Sequence, residues 1–149
     1  MERINIPRRG WVLVCDGAKA LVLQNEGDAE LVNLKLVDVW EHHAEAAHEL
    51  GTDRPGRVHQ SVGESRSSVE MTDWHEAEEA AFLKRVANEV AGLLQERQAR
   101  VLVLVAPPHA LGILREALPA SALPIVKHEL GKDLVNLPIA QIERHLAGG

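Results

Sequence analysis

The stretch that decides the fold is Val101-Leu102-Val103-Leu104-Val105, five apolar residues without a polar interruption. Its β-branched content favours a strand, and a continuous apolar run is typical of a strand that is covered on both faces. Such strands lie at the centre of sheets that carry helices. We therefore expect an α/β domain built around residues 101–105.

A long helix is predicted immediately before this strand. Apolar residues recur there at helical spacing, and they are Leu83, Val86, Ala87, Val90, Leu93 and Leu94. Asp73 is followed three residues later by Glu76, as in a capping box, and Arg97 and Arg100 suit the end of a helix where cations are favoured. This pattern predicts a helix of about 25 residues that begins near residue 72 and packs one face on the sheet.

Strands are predicted at the amino end of the chain. Residues 11–15 and 20–24 are apolar and flank the dipeptide Asp16-Gly17, which favours a tight hairpin turn. Farther on, apolar and polar residues alternate over positions 32–36, as in a half-buried strand. Three antiparallel strands in a meander are therefore expected.

Two helices and one strand are predicted after residue 105. Leucines at helical spacing over residues 111–118 stop at Pro119, residues 125–130 form the last strand, and Pro138 suits the first turn of a final helix. The element order is then β-β-β-loop-α-β-α-β-α. The fold class that follows is α/β, a single domain over residues 1–149 with a mixed sheet packed by helices.

Composition limits the classes of function. The 149 residues carry 16 Lys and Arg against 22 Asp and Glu, so a globally basic nucleic-acid binder is disfavoured and no DNA partner is expected. The single cysteine, Cys15, excludes an intramolecular disulfide and fits a reducing compartment. No apolar run is long enough for a membrane span, and Pro7, Arg8 and Arg9 interrupt any signal-peptide core. We therefore expect a cytoplasmic protein without a membrane partner.

A long irregular segment separates the third strand from the long helix. Glycines, serines and Pro55 interrupt residues 51–68, and we expect a mobile loop over about 51–70. Arg54, Arg57 and Arg66 against Glu64 leave a local surplus of two positive charges in an acidic protein. Guanidinium groups on a mobile segment suit recognition of phosphate or carboxylate. The loop is therefore a candidate binding surface, and a solvated loop without a ligand is the alternative.

Histidines are concentrated in and beside this segment, at positions 42, 43, 48, 59 and 75, and carboxylates accompany them. Imidazole and carboxylate are ordinary metal ligands, but no His-Glu-x-x-His motif occurs, and His43 and His48 do not share a helical face. We therefore expect no metal and no cofactor, and a His-dependent hydrolase is kept as an alternative. The serines of the loop lack a Gly-x-Ser-x-Gly elbow, and Cys15 in its apolar run is expected to be a packing residue.

A second candidate surface lies where the buried strand passes into a helix, at Pro107, Pro108, Gly112 and Arg115. Ligands of α/β sheets favour the carboxyl ends of strands, and a helix start can hold an anion. The two prolines supply no N–H group. Rigid turn geometry is therefore the preferred interpretation of this segment.

Four motifs in order resemble the bacterial host attachment protein family over about residues 11–147. They are Trp11-Val-Leu-Val-Cys-Asp-Gly-Ala-Lys-Ala20, Asp53-Arg-Pro-Gly-Arg57, Val105-Ala-Pro-Pro-His-Ala-Leu-Gly-Ile-Leu-Arg115 and Lys132-Asp-Leu134. The family takes its name from a role in attachment to host cells, which defines no molecular activity. It is in turn similar to the middle domain of archaeal and eukaryotic peptide-chain release factors, which has the same element order.

The resemblance to release factors implies a contact with the ribosome or tRNA. Their loop carries Gly-Gly-Gln, which promotes peptidyl-tRNA hydrolysis, whereas Gln60-Ser61 here lacks the glycine pair and the backbone freedom it gives. No catalytic role is therefore carried onto Gln60, and an enzyme is not expected. The binding residues implied are Arg54, Arg57, His59, Gln60, Ser61 and Arg66. A protein-interaction module or homo-oligomer acting indirectly in attachment is the alternative.

Overall fold

A computed structural model describes residues 3–42 and 60–148, with the backbone alone for residues 60–73. In chain order, the described strands and helices are β1 (Trp11–Cys15), β2 (Lys19–Asn25), β3 (Leu34–Glu41), α1 (Gln60–Glu96), β4 (Leu102–Val105), α2 (Pro108–Ala117), β5 (Val126–Leu130) and α3 (Ile139–Leu146). A single 3₁₀ turn, Leu123–Ile125, leads into β5.

The five strands form one mixed sheet in the order β3-β2-β1-β4-β5. The pairs β1–β2 and β2–β3 are antiparallel, whereas β1–β4 and β4–β5 are parallel. The predicted meander, the mixed sheet and the α/β class are therefore confirmed. Parallel strands need long crossover connections, and α1 and α2 supply them.

The apolar run of β4 lies beside β1 in the middle of the sheet, and its four residues are fully buried. Leu102 and Leu104 enter one hydrophobic core, and Val103 and Val105 enter the core on the opposite face. This alternation is the period of two that a strand imposes on its side chains. The prediction of a doubly covered central strand is confirmed.

Each face of the sheet is covered by different elements. Helices α1 and α2 pack on one face, through buried residues such as Phe82 and Leu114. Helix α3 packs on the other face through Ile142 and Leu146, and Ile6 from the amino-terminal segment joins it. Ile142 and Leu146 are four positions apart and therefore share one face of α3, the face that is buried.

Asn25, at the end of β2, is a buried polar residue that holds the amino-terminal segment in place. Its side-chain amide donates to the carbonyl oxygens of Ile6 at 2.9 Å and Pro7 at 3.2 Å. Its carbonyl oxygen accepts from the N–H groups of Gly27 and Asn33, each at 2.9 Å. A buried amide with this many partners avoids the cost of an unsatisfied polar group.

Helix α1 has 37 residues and begins at Gln60, twelve residues before its predicted start. The predicted cap at Asp73 was wrong, since position 73 lies inside the helix. The sequence prediction of a loop depends on Gly63 and the serines around it, which disfavour helix. Each costs at most about 1 kcal/mol relative to Ala, and an existing helix extends without a new nucleation step. Residues 51–59 lie outside the described part of the chain, and the mobility predicted for residues 51–70 stays a prediction.

Strand β3 is an edge strand, and its side chains are less buried than the alternation predicts. Leu34 is buried, but Leu36 is 48% exposed and Val39 is 38% exposed. The pairing of β3 with β2 shifts between the pairs Leu23–Leu36 and Val22–Asp38, which leaves Val37 without a partner in β2. Such a bulge bends an edge strand, and this bend explains why the predicted half-burial fails.

Candidate functional site

The predicted binding loop leads into the amino-terminal part of α1. Arg54, Arg57 and His59 lie outside the described residues. Gln60 and Ser61 are the first two residues of α1. Position 66 follows in the second turn of the same helix. Three of the six predicted binding residues, Gln60, Ser61 and Arg66, therefore belong to the first two turns of α1.

Helix α1 packs on the sheet through residues of its second half. A helix of 37 residues measures about 55 Å, more than twice the length of the seven-residue strand β2. Among the described side chains of the helix, residues 74–96, the first buried one is Phe82, and those of residues 74–81 are exposed or only partly buried, with Trp74 at 49% exposure. The predicted arginines at positions 54, 57 and 66 therefore precede this packed part of the helix in the chain.

The hairpin turn between β1 and β2 lies against α1 at Glu79. A Cβ atom on Gly17 would come within 2.7 Å of Glu79 Cδ and 3.1 Å of Glu79 Cβ, so glycine permits the close approach. Asp16 Oδ1 accepts from the N–H groups of Ala18 and Lys19, each at 2.9 Å, which fixes the turn. The turn therefore sits where the carboxyl end of β1 meets the helix.

One of the histidines proposed for chemistry, His42, joins three elements beside this turn. Its backbone N–H donates to the Ala18 carbonyl at 2.8 Å. Its Nε2 lies 3.5 Å from Glu78 Oε1, and its ring packs edge-on against Phe82 with centroids 5.9 Å apart. The Glu78 carboxylate and the Phe82 ring therefore orient this imidazole. A fixed orientation is one of the properties that a general base requires. His43, His48 and His59 lie outside the described residues.

A groove of about 620 Å³ runs between β3 and α1 next to His42. It is lined by Val39, Trp40, Glu41, Phe82, Arg85, Val86 and Glu89. The guanidinium of Arg85 lies 5.8 Å from the centre of the Phe82 ring, a cation–π contact that holds it at the wall. The groove combines apolar and charged side chains, as ligand-binding clefts do.

The turn after β4 has the rigid geometry that its prolines predict. Pro107 stands at the start of α2 with extended backbone, and Pro108 is the first residue of the helix. Gly112 lies inside the helix, where a Cβ would meet no atom within 4 Å. The Arg115 guanidinium donates two hydrogen bonds to the Glu129 carboxylate on β5, from Nε to Oε2 and from Nη2 to Oε1. These residues therefore join α2 to the edge strand, and a binding role for them stays a prediction.

The ion pair of Arg115 sets the ionisation of Glu129. The hydrogen bonds and charge of the guanidinium lower the pKa of the Glu129 carboxyl, and its partial burial opposes this effect. More than half of the Arg115 side chain is exposed. The pair therefore acts as a solvated strut between helix and strand rather than as a chemical centre.

The described residues offer little to the hydrolase alternative. Over residues 3–42 and 74–148, His, Cys, Asp and Glu side chains form no group of three that could hold a metal ion. Cys15 is fully buried in β1, and this burial, with the neighbouring Asp16 charge, raises the pKa of its thiol to about 12. A thiol of this pKa is not a nucleophile near neutral pH. The packing role predicted for Cys15 is confirmed.

Sequence reasoning missed the groove beside His42. The helical spacing predicted that residues 83 and 86 face the core, but Phe82 and Arg85 were given no role. The pairing of β3 at the sheet edge brings Trp40 across from this helix face, and that long-range placement has no local signal. An isolated Phe in a chain with few aromatic residues is the one hint in the sequence.

The fold defines a small α/β domain with a groove between its edge strand β3 and its longest helix. The chain belongs to the family of proteins required for attachment to host cells, whose model matches residues 11–146. The family predicted from the sequence motifs is therefore confirmed. No curated protein matches this chain. The family match says nothing of release factors, and the likeness to them stays a prediction.

Among the described residues, no helix is long and apolar enough to cross a membrane. Helix α1 is long enough, but charged side chains recur along it.

Proposed function

We propose that this member of the host attachment family works by binding ribosomal RNA or tRNA through the arginines of residues 54–68. The observation that carries the proposal is the position of α1. The helix starts at Gln60, three residues after Arg57, and among its described side chains, residues 74–96, the first buried one is Phe82. A basic segment that leads into an extended helix suits contact with phosphate groups.

The activity proposed is binding without strong catalysis. Release factors need a glutamine on a flexible Gly-Gly backbone, whereas Gln60 stands at the first position of a helix and follows Val58 and His59. Helical backbone at this position restricts how the main chain of Gln60 can meet an ester. A peptidyl-tRNA hydrolysis assay checks this point, and turnover that depends on Gln60 would contradict it.

Co-sedimentation with ribosomes at low and moderate salt tests the proposal. The test variant replaces Arg54, Arg57 and Arg66 with Ala. The control variant replaces Lys84, Lys127 and Arg144 with Ala, three exposed side chains elsewhere, and so changes the net charge equally. We expect wild type and control to sediment with ribosomes at low salt, and the test variant to remain in solution. Equal binding by all three proteins would contradict the proposal.

A second candidate function is a protein-interaction module, and the exposed apolar side chains of β3 favour it. Leu36, Val37 and Val39 are 36–48% exposed on a strand at the sheet edge. Exposed apolar edge strands are templates for pairing with another chain. Light scattering over a range of concentrations tests this function. A mass that rises with concentration in wild type, but not in a Val39→Lys variant, is the expected result, and a constant monomer mass would contradict it.

A further inference from the structure

Three arginines lie on the two backbone segments that lead into β1 and β4, at the amino end of the parallel strands and at the opposite end of the sheet from the hairpin turn. Arg9 precedes β1, Arg97 follows the last residue of α1, and Arg100 precedes β4. The two segments are joined by a hydrogen bond from Trp11 N–H to the Val101 carbonyl at 2.9 Å. All three arginine side chains are exposed. They are called the amino-end arginines below.

Among the described residues, no ion pair links a carboxylate to the amino-end arginines. Glu96, which precedes Arg97, and Glu26, which follows the Asn25 hydrogen-bond partner of Arg9, form ion pairs with none of the three. Arg97 is instead held over the Trp11 ring, with its guanidinium carbon 6.0 Å from the ring centre. Its donors are therefore positioned while remaining open to an incoming anion.

The backbone around these arginines is held in an unusual conformation. Arg9 has a φ of 69° in a turn closed by Gly10 N–H and the Pro7 carbonyl at 2.9 Å. Gln98, beside Arg97, has a φ of 55°. These two are the non-glycine residues with positive φ among the described residues, and both lie at this end of the sheet. Glycine adopts a positive φ without strain, whereas the side chains of Arg9 and Gln98 make this conformation costly at both positions.

We propose that the amino-end arginines bind the phosphodiester backbone of a polynucleotide. Guanidinium groups match phosphate oxygens with two parallel hydrogen bonds, and several such contacts supply sequence-independent affinity. None of the large exposed apolar side chains among the described residues lies in the two segments that carry these arginines; Leu31, before β3, and Leu123, before β5, stand at the same end of the sheet. A protein interface needs an apolar centre, which the amino-end arginines lack, so phosphodiester is favoured over an acidic polypeptide. The proposal does not rest on the arginines of residues 54–68.

Fluorescence anisotropy with a labelled single-stranded RNA, and with DNA of the same sequence, tests this proposal. The test variant is Arg9→Gln, Arg97→Gln and Arg100→Gln together. The control is Lys19→Gln, Lys84→Gln and Arg144→Gln, with the same change of charge at other positions. We expect the test variant to lose tenfold or more in affinity at low salt, and its log–log salt slope to fall by about 2, since three phosphate contacts are removed. The control should keep the wild-type salt slope. The nucleic acid, RNA or DNA, that wild type binds with the higher affinity identifies the polynucleotide.

Four results would overturn the proposal. The first is that wild type does not bind RNA or DNA, and the second is that the test variant and the control lose affinity equally. The third is that poly-glutamate displaces the nucleic acid in a way that depends on the same three arginines. The fourth is that affinity is lost only in a variant lacking Arg54, Arg57 and Arg66. The last result would support the proposed function instead, so the two failures are distinguishable. Arg9→Gly serves as a second variant because it relieves the positive φ. It should weaken binding with an unchanged or raised Tm, and weaker binding that follows a lowered Tm would count as a folding effect and against the proposal.

Discussion

The end of helix α1 is decided by two residues, Gln98 and Ala99. Ala99 N–H donates to the Leu94 carbonyl at 2.9 Å, and Gln98 N–H donates to the Gln95 carbonyl at 3.2 Å. This pair of bonds is the Schellman motif, which places the residue after the helix cap in the left-handed region. Gln98 occupies that position with a φ of 55°, where glycine is the usual residue.

A Gln98→Gly substitution is therefore expected to stabilise the domain. A non-glycine residue in the left-handed region costs about 1 kcal/mol, and glycine removes that cost while the two hydrogen bonds remain. Urea unfolding measures the change as a higher midpoint at the same slope. Gln95→Gly, three residues earlier and inside the helix, is the matched control and should destabilise. A lower midpoint for Gln98→Gly would show that the motif is misassigned.

The thiol of Cys15 is expected to be unreactive in the folded protein. Burial in β1 raises the pKa of Cys15 to about 12, so the thiolate is scarce at neutral pH and reagents cannot reach it. Titration with a disulfide reagent at pH 8 should give no reaction in buffer and one thiol per chain in denaturant. Rapid reaction in buffer would place Cys15 at the surface, contrary to the sheet described.

At the scale of elements, β4 is the strand on which both cores depend. Val103 is fully buried and packs with Val12 of β1 and with α3 on one face of the sheet. Leu102 and Leu104 pack in the core on the other face. A charge at position 103 would have no partner. Such a charge costs several kcal/mol, which is a large part of the stability of a domain of this size.

Val103→Asp is accordingly expected to unfold the domain. Circular dichroism during thermal melting should show no cooperative transition for this variant. His128→Asp is the matched control, because His128 is the register partner of Val103 on β5 but is exposed. The control should melt cooperatively near the wild-type temperature. A cooperative melt of Val103→Asp would refute the central position of β4.

The Arg115–Glu129 pair gives the link between α2 and β5 a dependence on pH. Because the Arg115 guanidinium lowers the pKa of Glu129 in the folded state, the folded protein binds fewer protons at this site than the unfolded chain does. The resulting stability is complete above the ordinary carboxyl pKa of 4.5 and is lost as the pH falls through the lower folded value. The effect is small, since both side chains are largely solvated.

Comparison of wild type with Glu129→Gln measures this contribution. The Tm of wild type should exceed that of the variant above about pH 6, and the difference should shrink as the pH approaches about 3. Glu116→Gln, on the same helix as Arg115 but exposed and outside the pair, is the control and should follow wild type. Parallel Tm curves for wild type and Glu129→Gln would exclude a stabilising role of the pair.

The strands and the three described helices could be predicted because each depends on local pattern. The apolar run of β4, the Asp16-Gly17 turn and Pro138 before α3 all act within a few residues of themselves. Strand order could not be predicted in this way, because the β1–β4 pairing joins residues that are far apart in sequence. The approach of Trp11 to Val101 follows from that pairing, and the exposure of Leu36 follows from the edge position and bulge of β3.

At the scale of the whole molecule, basic residues occur at both ends of α1. The arginines of residues 54–68 precede or begin the helix, and Arg97 and Arg100 follow its last residue. A regular helix of this length separates the two groups by tens of ångströms. The chain as a whole has a net charge of −6, but arginines are grouped at the two ends of this helix. This arrangement suits binding of a polyanion at local basic patches rather than through the overall charge of the protein.

Ultraviolet crosslinking of wild-type protein to ribosomes, followed by mapping of the crosslinked peptides, tests the proposed function most directly. It reports both whether the chain contacts ribosomal RNA and which residues make that contact. The account predicts RNA adducts on peptides from residues 54–66, lost in the Arg54, Arg57 and Arg66 to Ala variant. Adducts absent from wild type, or confined to peptides elsewhere in the chain, would contradict it.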